Sequence, residues 1–222
     1  MDFISQLKHR LQAQSNDEFA LQMHEYMKRG FHFLGVKAPD RKQILKETIN
    51  EHKEEVSKNA RSIAESLYAL TEREYHYCAM EIIAKFLKKK YKEEDFDFIC
   101  ALIYTHSHWD TVDFVAKHVL GSYLQQFWEQ RRACVDKLSK SDNMWLNRSA
   151  ILFQLGYKTR TDEAILFEQC IAHSDSKEFF IQKAIGWALR EYGKTNPDAV
   201  IEFVNNTELK ALSTREALKR LQ

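Results

Sequence analysis

Helix-breaking residues are scarce in this sequence. Only six glycines and two prolines occur among 222 residues, well below average usage, so there is little material for tight turns. No run of about eighteen apolar residues is present, and the first ten residues lack the apolar stretch of a secretion signal. We therefore expect an all-helical protein that is cytoplasmic and does not associate with a membrane.

Metal-binding patterns and a strong net charge are missing as well. The four cysteines contain no C-x-x-C pair, which argues against a zinc or iron–sulfur site, and their apolar neighbours favour reduced thiols packed in the core. The 33 basic and 32 acidic residues give a net charge of +1. A nucleic-acid-binding face would therefore have to be a local patch. We expect no metal and no cofactor.

Predicted helix starts recur at a regular interval. Thr71 with Glu74 has the form of a capping box, and Ser107, Asp142 and Ser176 each begin a further helical pattern, at steps of 36, 35 and 34 residues. Partner helices are predicted between and after these starts, over roughly residues 93–105, 127–138, 162–172 and 197–205.

Three glycines support the same interval. Gly121, Gly156 and Gly193 follow the first helix of three pairs, where helix-ending glycines are typical. A helix pair about every 35 residues is the sequence sign of an α-solenoid, in which each pair packs on its neighbours. No interior linker is evident, so residues 1–222 are predicted to form a single helical-repeat domain.

A shift of 35 residues places three charged residues in one row. Arg148 lies 35 residues after Asp113, and Lys183 lies 35 residues after Arg148. In a solenoid, equivalent positions on the first helix of each successive pair line up along one surface. Asp110 aligns instead with Trp145, so Asp113 is the carboxylate of the row. The same shift and helical spacing place three aromatic residues beside it, Trp109, Phe179 and Trp187.

This row suits a ligand that is both anionic and flat-ringed. Arg148 and Lys183 would neutralise phosphates, and indoles lie well on sugars, bases or cationic rings. Asp113 would repel a phosphate backbone, whereas it would stabilise positive charge on a sugar during glycosidic cleavage. A structural interpretation stands beside this one, because Asp113 could pair with Lys117 on its own helix or with Arg148 across repeats.

Other candidates have less support. Lys37, in a glycine-containing loop, and Lys158, in the loop after Gly156, are candidate phosphate contacts, and Tyr26 is a candidate wall residue of the binding surface. His106 and His108 lie two residues apart and face different sides of a helix, which disfavours a metal pair. The basic run from Lys85 to Lys92 reads more simply as a solvated helix end.

Several segments resemble the AlkD family of DNA alkylation repair glycosylases. The resemblance rests on the motifs S-x-W-D-x-V-D at 107–113 and D-N-x-W-L-x-R at 142–148, on KEFFIQKAIGWALREYGKTNP at 177–197, on FLGV at 33–36 and on LS-x-REA at 212–217. It spans nearly the whole chain. It implies stacked HEAT-like repeats with a concave DNA-binding face.

The resemblance also implies an activity and a set of roles. By this resemblance the protein would hydrolyse the N-glycosidic bond of N3- and N7-alkylated purines in duplex DNA without flipping the base. Asp113 would be the catalytic carboxylate, Trp109 and Trp187 would flank the deoxyribose, and Arg148 would hold the DNA backbone. Phe179 and Phe180 would be secondary DNA contacts. His108 departs from the family's usual aromatic residue, and Gly156 removes a basic contact.

Two classes of function remain open from the sequence. The first is a monofunctional DNA glycosylase of base excision repair that acts as a monomer on duplex DNA and uses no lysine Schiff base. The second is a non-catalytic helical-repeat module that binds protein or nucleic acid, with Asp113 as a salt-bridge partner. Binding of RNA by the same face is a further alternative.

Overall fold

The computed structural model of the protein describes residues 1–219, which are helical throughout apart from turns and loops. Within this range the only β-type pairing is an isolated bridge between His32 and Glu72. The predicted all-α class is therefore confirmed. The helices are α1 (Phe3–Ala13), α2 (Asp17–Tyr26), α3 (Ala38–Glu51), α4 (Lys53–Tyr68), α5 (Arg73–Phe86), α6 (Asp95–Tyr104), α7 (Trp109–Phe114), α8 (Gly121–Gln126), α9 (Arg131–Ser139), α10 (Met144–Leu152), α11 (Glu163–Ala172), α12 (Phe179–Gly193), α13 (Pro197–Asn206) and α14 (Ala211–Leu218).

The chain divides into two compact units, Met1–Lys90 and Tyr91–Gln222. Helices α1 to α5 form the first unit and α6 to α14 the second. Within the described residues, no helix is both long and apolar enough to span a membrane.

Apolar spacing explains the first helix of the first unit. In α1 the side chains of Phe3, Leu7 and Leu11 are fully buried, and their four-residue spacing puts them on one face. Asp2 caps this helix, because its Oδ1 accepts a hydrogen bond from the Ser5 N–H at 2.8 Å. Burial of each such side chain contributes about 2 kcal/mol, so α1 is held mainly by its apolar face.

The loop before α3 is held by a buried carboxylate. Glu74 accepts hydrogen bonds from the backbone N–H groups of Leu34, Gly35 and Val36 at 3.0 to 3.1 Å. The predicted Thr71–Glu74 capping box is therefore wrong. Helix α5 begins two residues later, at Arg73, because the Glu74 side chain binds three distant donors instead of its own helix start.

Helix starts in the second unit keep the predicted interval. Helices α7, α10 and α12 begin at residues 109, 144 and 179, two steps of 35 residues, and α5 begins at residue 73, 36 residues before α7. The predicted partner helices match α6, α9, α11 and α13 with shifts of a few residues at their ends. These positions confirm the helical-repeat organisation.

The capping residues differ from those predicted. His108 and Asn143, not Ser107 and Asp142, cap α7 and α10. Ser107 instead donates its hydroxyl to the Ile103 carbonyl at 2.8 Å, at the end of the preceding helix. Ser176 lies two residues before the N-cap of α12 and accepts the Glu178 N–H.

Gly121 does not end a helix, contrary to the prediction. Helical backbone continues through a π-helical turn, Val115–Leu120, into α8. A Cβ at Gly121 would lie 2.5 Å from the Phe153 carbonyl oxygen, so this glycine permits close approach to the end of α10. Gly193 is the last residue of α12, and Gly156 takes a left-handed φ of +86° in the loop after α10.

Three of the four cysteines pack in the core as predicted. Cys78, Cys100 and Cys170 are buried, and Cys134 is half-buried. Burial raises the pKa of the Cys78 and Cys100 thiols to about 12, which keeps both protonated at neutral pH. Their place is in the apolar core.

Candidate functional site

An ion pair across two repeats forms the centre of the candidate site. Arg148 donates from Nε to Asp113 Oδ1 at 2.7 Å and from Nη2 to Asp113 Oδ2 at 2.8 Å. This two-point geometry aligns the planar guanidinium with the carboxylate and belongs to the stronger class of charged hydrogen bonds. The contact between Asp113 and Arg148, which the 35-residue spacing predicted, is therefore confirmed.

Arg148 also reaches a third repeat. Its Nη1 donates to the backbone carbonyl of Phe180 in the first turn of α12. The Arg148 side chain is 5% exposed, whereas 16% of the Asp113 side chain remains open to solvent. Arg148 is thus a buried residue that holds Asp113 and Phe180 in place, and Asp113 is the member of the pair that an external molecule can reach.

Burial dominates the electrostatics of Asp113. Desolvation raises the pKa of the Asp113 carboxyl above its ordinary value, while the hydrogen bonds and charge of Arg148 oppose the rise. The neighbouring Asp110 carboxylate adds to the rise, and His108 opposes it. The two-point bond to a guanidinium requires the carboxylate form, so Asp113 is ionised at neutral pH.

An aromatic cluster lies beside the ion pair. The ring centroid of His108 lies 5.8 Å from that of Trp145 and 5.7 Å from that of Phe180, and the Trp145 and Phe180 rings are 5.1 Å apart. The Arg148 guanidinium carbon lies 5.9 Å from the Phe180 ring centre. The site therefore combines one charged pair with three flat rings from three successive repeats.

Sequence reasoning missed His108 and Trp145 as members of this site. From the sequence, His108 is a disfavoured metal ligand and a departure from the family's usual aromatic residue, and Trp145 is only the residue that aligns with Asp110. A signal for Trp145 existed, since Trp145 and Phe180 are separated by the same 35 residues that relate Asp113 to Arg148. The same spacing relates His108 to Asn143, and the two residues cap α7 and α10, but histidine is not a typical capping residue, so the spacing alone did not single it out.

The predicted aromatic residues occupy different environments. Trp109 is half-buried in the first turn of α7, four residues before Asp113. Trp187 is half-buried against the apolar core of the second unit. Phe179 is 58% exposed, with its ring 5.4 Å from that of Phe180. Phe179 therefore extends the aromatic cluster towards solvent.

Lys183 is engaged in a second charged cluster. Its Nζ lies 2.9 Å from Glu216 Oε1, and Arg190 Nη1 lies 2.7 Å from Glu216 Oε2. These two cations lower the pKa of the Glu216 carboxyl to about 2. Lys183 is 38% exposed, so its ammonium group is accessible to solvent as well as paired with α14.

The remaining predicted contacts lie elsewhere in the chain. Lys37 and Tyr26 belong to the first unit: Lys37 is the exposed N-cap residue of α3, with its Nζ 3.6 Å from the centre of the Phe19 ring, and Tyr26 is 74% exposed. Lys158 lies beyond the end of α10 in the second unit and lines a cleft of about 290 Å³ with Lys194. No group of three or more metal-ligating side chains occurs within residues 1–219.

Comparisons with known proteins agree with this architecture. The sequence matches the DNA alkylation repair enzyme family over residues 7–221. A solved structure described as a predicted DNA alkylation repair enzyme from Enterococcus faecalis aligns with a TM-score of 0.85 at 33% identity, covering 94% of this chain and 97% of that chain. A structure from Streptococcus mutans UA159 aligns with a TM-score of 0.60 at 16% identity, covering 82% of this chain and 100% of that chain, and supports the fold alone.

A search among curated proteins gave no match. The family match spans far more than half of the chain, and the Enterococcus faecalis structure shares a third of its residues over nearly its full length. The protein therefore belongs to the family of DNA alkylation repair enzymes.

Proposed function

We propose that the protein is a monofunctional DNA glycosylase of base excision repair, which hydrolyses the N-glycosidic bond of N3- and N7-alkylated purines in duplex DNA. Membership of the DNA alkylation repair enzyme family supports a role in DNA repair. The observation that carries the finer proposal is the Asp113 carboxylate. It is fixed by Arg148, whose guanidinium lies beside the aromatic cluster, and it is still partly open to solvent.

The chemistry requires a group that faces developing positive charge. An alkylated purine is cationic, so it leaves without protonation by a general acid. As the bond from C1′ to the purine nitrogen breaks, its electron pair moves to the purine, and positive charge develops on the deoxyribose ring. A fixed carboxylate in a desolvated site stabilises that charge more in the transition state than in the ground state.

Asp113 keeps the capacity for this role despite its ion pair. Arg148 occupies one lone pair on each carboxylate oxygen, and each oxygen has a further acceptor site. The 16% of the side chain that is exposed is where a sugar or a water molecule would be bound. Water then adds to C1′ and releases a proton, and the products are a free purine and an abasic site.

Trp109 and Trp187 are proposed to flank the deoxyribose. An indole face attracts positive charge with an energy of about 1 to 2 kcal/mol when the site is desolvated. This attraction grows as the sugar becomes cationic, so it favours the transition state. Both residues are half-buried, which leaves part of each indole available for contact.

We propose that the other predicted residues bind DNA away from the reacting bond. Lys183, Lys37 and Lys158 would contact phosphates, because an ammonium group neutralises a phosphate as a point charge. Phe179, Phe180 and Tyr26 would supply apolar contact to sugar or base. Arg148 would act on DNA mainly through Asp113, since its three donor nitrogens are bonded within the protein.

No base-flipping step is part of the proposal. Extrusion of a base requires a pocket that encloses it, whereas the proposed contacts are to the sugar and the backbone. Bulky cationic adducts should then be accepted, and neutral lesions should be poor substrates. We also propose that the enzyme acts as a monomer and as one helical-repeat domain over residues 1–222.

The test is release of free purine from methylated duplex DNA, measured by chromatography. We expect release of N7-methylguanine and N3-methyladenine by the wild type, and loss of that release by at least about a hundredfold in Asp113→Asn, because one fixed charge contributes on that scale. Duplex binding should persist in the variant. Asp110→Asn is the matched control, three residues away on the same helix, and should lose less than tenfold.

One observation favours the alternative of a non-catalytic helical-repeat module. The Asp113–Arg148 pair joins two repeats, as a purely structural salt bridge would. That alternative predicts no purine release by the wild type and a lowered melting temperature of Asp113→Asn. Equal release by the wild type and Asp113→Asn would contradict the assigned role of Asp113. A preference for RNA over duplex DNA in binding would point to the RNA-binding alternative.

A further inference from the structure

His108 occupies the junction where the helix carrying Trp109 and Asp113 begins. Its backbone is extended, and its imidazole Nδ1 accepts the Trp109 N–H at 2.9 Å. Its carbonyl oxygen accepts the Val112 N–H at 3.0 Å, the first backbone bond of the helix. Both the side chain and the main chain of His108 thus fix the first turn of α7.

The ring of His108 ties this first turn to the two following repeats. It packs against Trp145 in the first turn of α10 and Phe180 in the first turn of α12, with centroid distances of 5.8 and 5.7 Å. Aromatic pairs at such distances contribute beyond their buried area. The Phe180 carbonyl also accepts a hydrogen bond from Arg148. Phe180 therefore contacts both the His108 ring and the Arg148 guanidinium.

From these contacts we infer that His108 is a positioning residue of the proposed glycosylase site. It holds the Trp109 indole and the Asp113 carboxylate at a fixed place relative to Arg148, through its Nδ1 acceptor and the aromatic packing of its ring. The inference rests on the proposed function. It assigns His108 no contact with DNA and no proton transfer.

Three substitutions separate the two contributions. His108→Asn keeps a capping acceptor and loses the ring, His108→Phe keeps a ring and loses the acceptor, and His108→Ala loses both. We expect kcat for purine release to fall about tenfold in the Ala variant, with partial recovery in Asn and in Phe, because loss of a cap and of ring packing each disturbs the geometry. KM for methylated duplex should stay within about twofold.

Asn196→Ala is the matched control. Asn196 caps α13 in the same unit by accepting the Ala199 N–H at 3.3 Å, so its removal tests loss of a cap elsewhere. We expect a lowered melting temperature and an unchanged kcat. An equal loss of kcat in Asn196→Ala and His108→Ala would overturn the inference, as would a loss in His108→Ala confined to KM.

The two failures can be told apart. If the wild type releases no alkylpurine, the proposed function fails and the inference falls with it. If the wild type is active and His108→Ala keeps the wild-type kcat, only the inference is overturned. If His108→Ala does not fold, wild-type kcat in both the Asn and the Phe variants overturns it, and a loss in either supports it.

Discussion

At the scale of the residue, Asp113 combines two opposing influences. A guanidinium holds it by two hydrogen bonds, which favour the charged form, while desolvation by burial disfavours that form and prevails in raising the pKa of the carboxyl. A carboxylate in this condition is poorly solvated. It gains more from meeting a positive charge than a hydrated carboxylate would.

Purine release should therefore decline on the acid side at a higher pH than an ordinary aspartate would give. The active form is the carboxylate, and the pKa of Asp113 is raised above its ordinary value of 3.8, so protonation removes activity as the pH falls through that raised value. The measurement is the rate of release between about pH 4 and pH 8. Spontaneous depurination without enzyme is subtracted.

Arg148→Met sharpens this prediction. The hydrogen bonds and charge of Arg148 lower the Asp113 pKa, so their removal should move the acid limb to still higher pH while reducing the maximal rate. A limb that shifts to lower pH, or a profile without an acid limb, would contradict the assignment of the limb to Asp113.

The sequence predicted the charged pair of the site, and the resemblance pointed to Phe179 and Phe180, but neither predicted that His108 and Trp145 pack with Phe180. A spacing of 35 residues identified Asp113 and Arg148 because ion pairing needs only the right positions on adjacent helices. The contact of His108 with Trp145 and Phe180 depends on the direction of each side chain, which spacing does not specify. Glu74 was misassigned for a related reason, since its backbone donors lie about 40 residues earlier in the chain.

At the scale of the element, the approach of α14 to α12 depends on Gly186. A Cβ at this position would lie 2.4 Å from the Glu216 Cβ and 2.9 Å from the Ser213 carbonyl oxygen, distances that no packed side chain tolerates. The absence of a side chain at Gly186 therefore brings the two helices together. It also places Glu216 within reach of Lys183 and Arg190.

Gly186→Ala should destabilise the protein. The added methyl group overlaps with α14 at a cost of about 1 to 3 kcal/mol, which outweighs a gain of up to about 1 kcal/mol in helix propensity. Chemical denaturation followed by circular dichroism measures the change in the free energy of unfolding. A variant as stable as the wild type would contradict the close approach of the two helices.

Glu216→Gln should remove a pH-dependent part of the stability. The folded-state pKa of about 2 lies below the ordinary value of 4.5, so the carboxylate stabilises the fold above pH 4.5, and this contribution is lost as the pH falls towards 2. The shift corresponds to at most about 3 kcal/mol, and solvent screening reduces this to about 1 to 2 kcal/mol.

The measurement for Glu216→Gln is the difference in melting temperature from the wild type across this pH range. We expect the difference to be largest at neutral pH and to narrow on acidification. A difference that is constant with pH would show that the loss comes from packing and not from charge.

Helix positions were predicted better than helix ends. The predicted starts at Ser107, Asp142 and Ser176 lie within three residues of the starts of α7, α10 and α12, because burial of the apolar face that follows fixes where a helix lies. Local geometry decides which of several adjacent polar residues caps a helix. The Ser107 hydroxyl donates to the Ile103 carbonyl, so His108 and not Ser107 caps α7. Gly121 was misinterpreted because a glycine serves close packing as readily as it ends a helix.

At the scale of the whole molecule, the chromophores are unevenly distributed. All four tryptophans, Trp109, Trp128, Trp145 and Trp187, lie in the second unit, Tyr91–Gln222, whereas helices occur in both units. Tryptophan fluorescence therefore reports on the second unit, and far-ultraviolet circular dichroism reports on both.

Thermal unfolding should give coincident transitions by these two probes if residues 1–222 behave as one cooperative domain, as predicted from the sequence. Agreement between probes is the standard test of all-or-none unfolding. The measurement records tryptophan fluorescence and far-ultraviolet circular dichroism from one sample as it is heated. A dichroism transition that continues after the fluorescence transition is complete would show that Met1–Lys90 unfolds independently.

The π-helical turn at Val115–Leu120 lets this helix contain one more residue without a change in the position of the next repeat. A π turn accommodates one more residue than an α turn over the same rise, directly after the segment that carries Asp113. A homologue that lacks one residue in this turn should have an unbroken α-helix there and keep Asp113 in register with Arg148. A deletion of one residue should therefore be tolerated at this turn, whereas insertions and deletions should be excluded between Trp109 and Asp113.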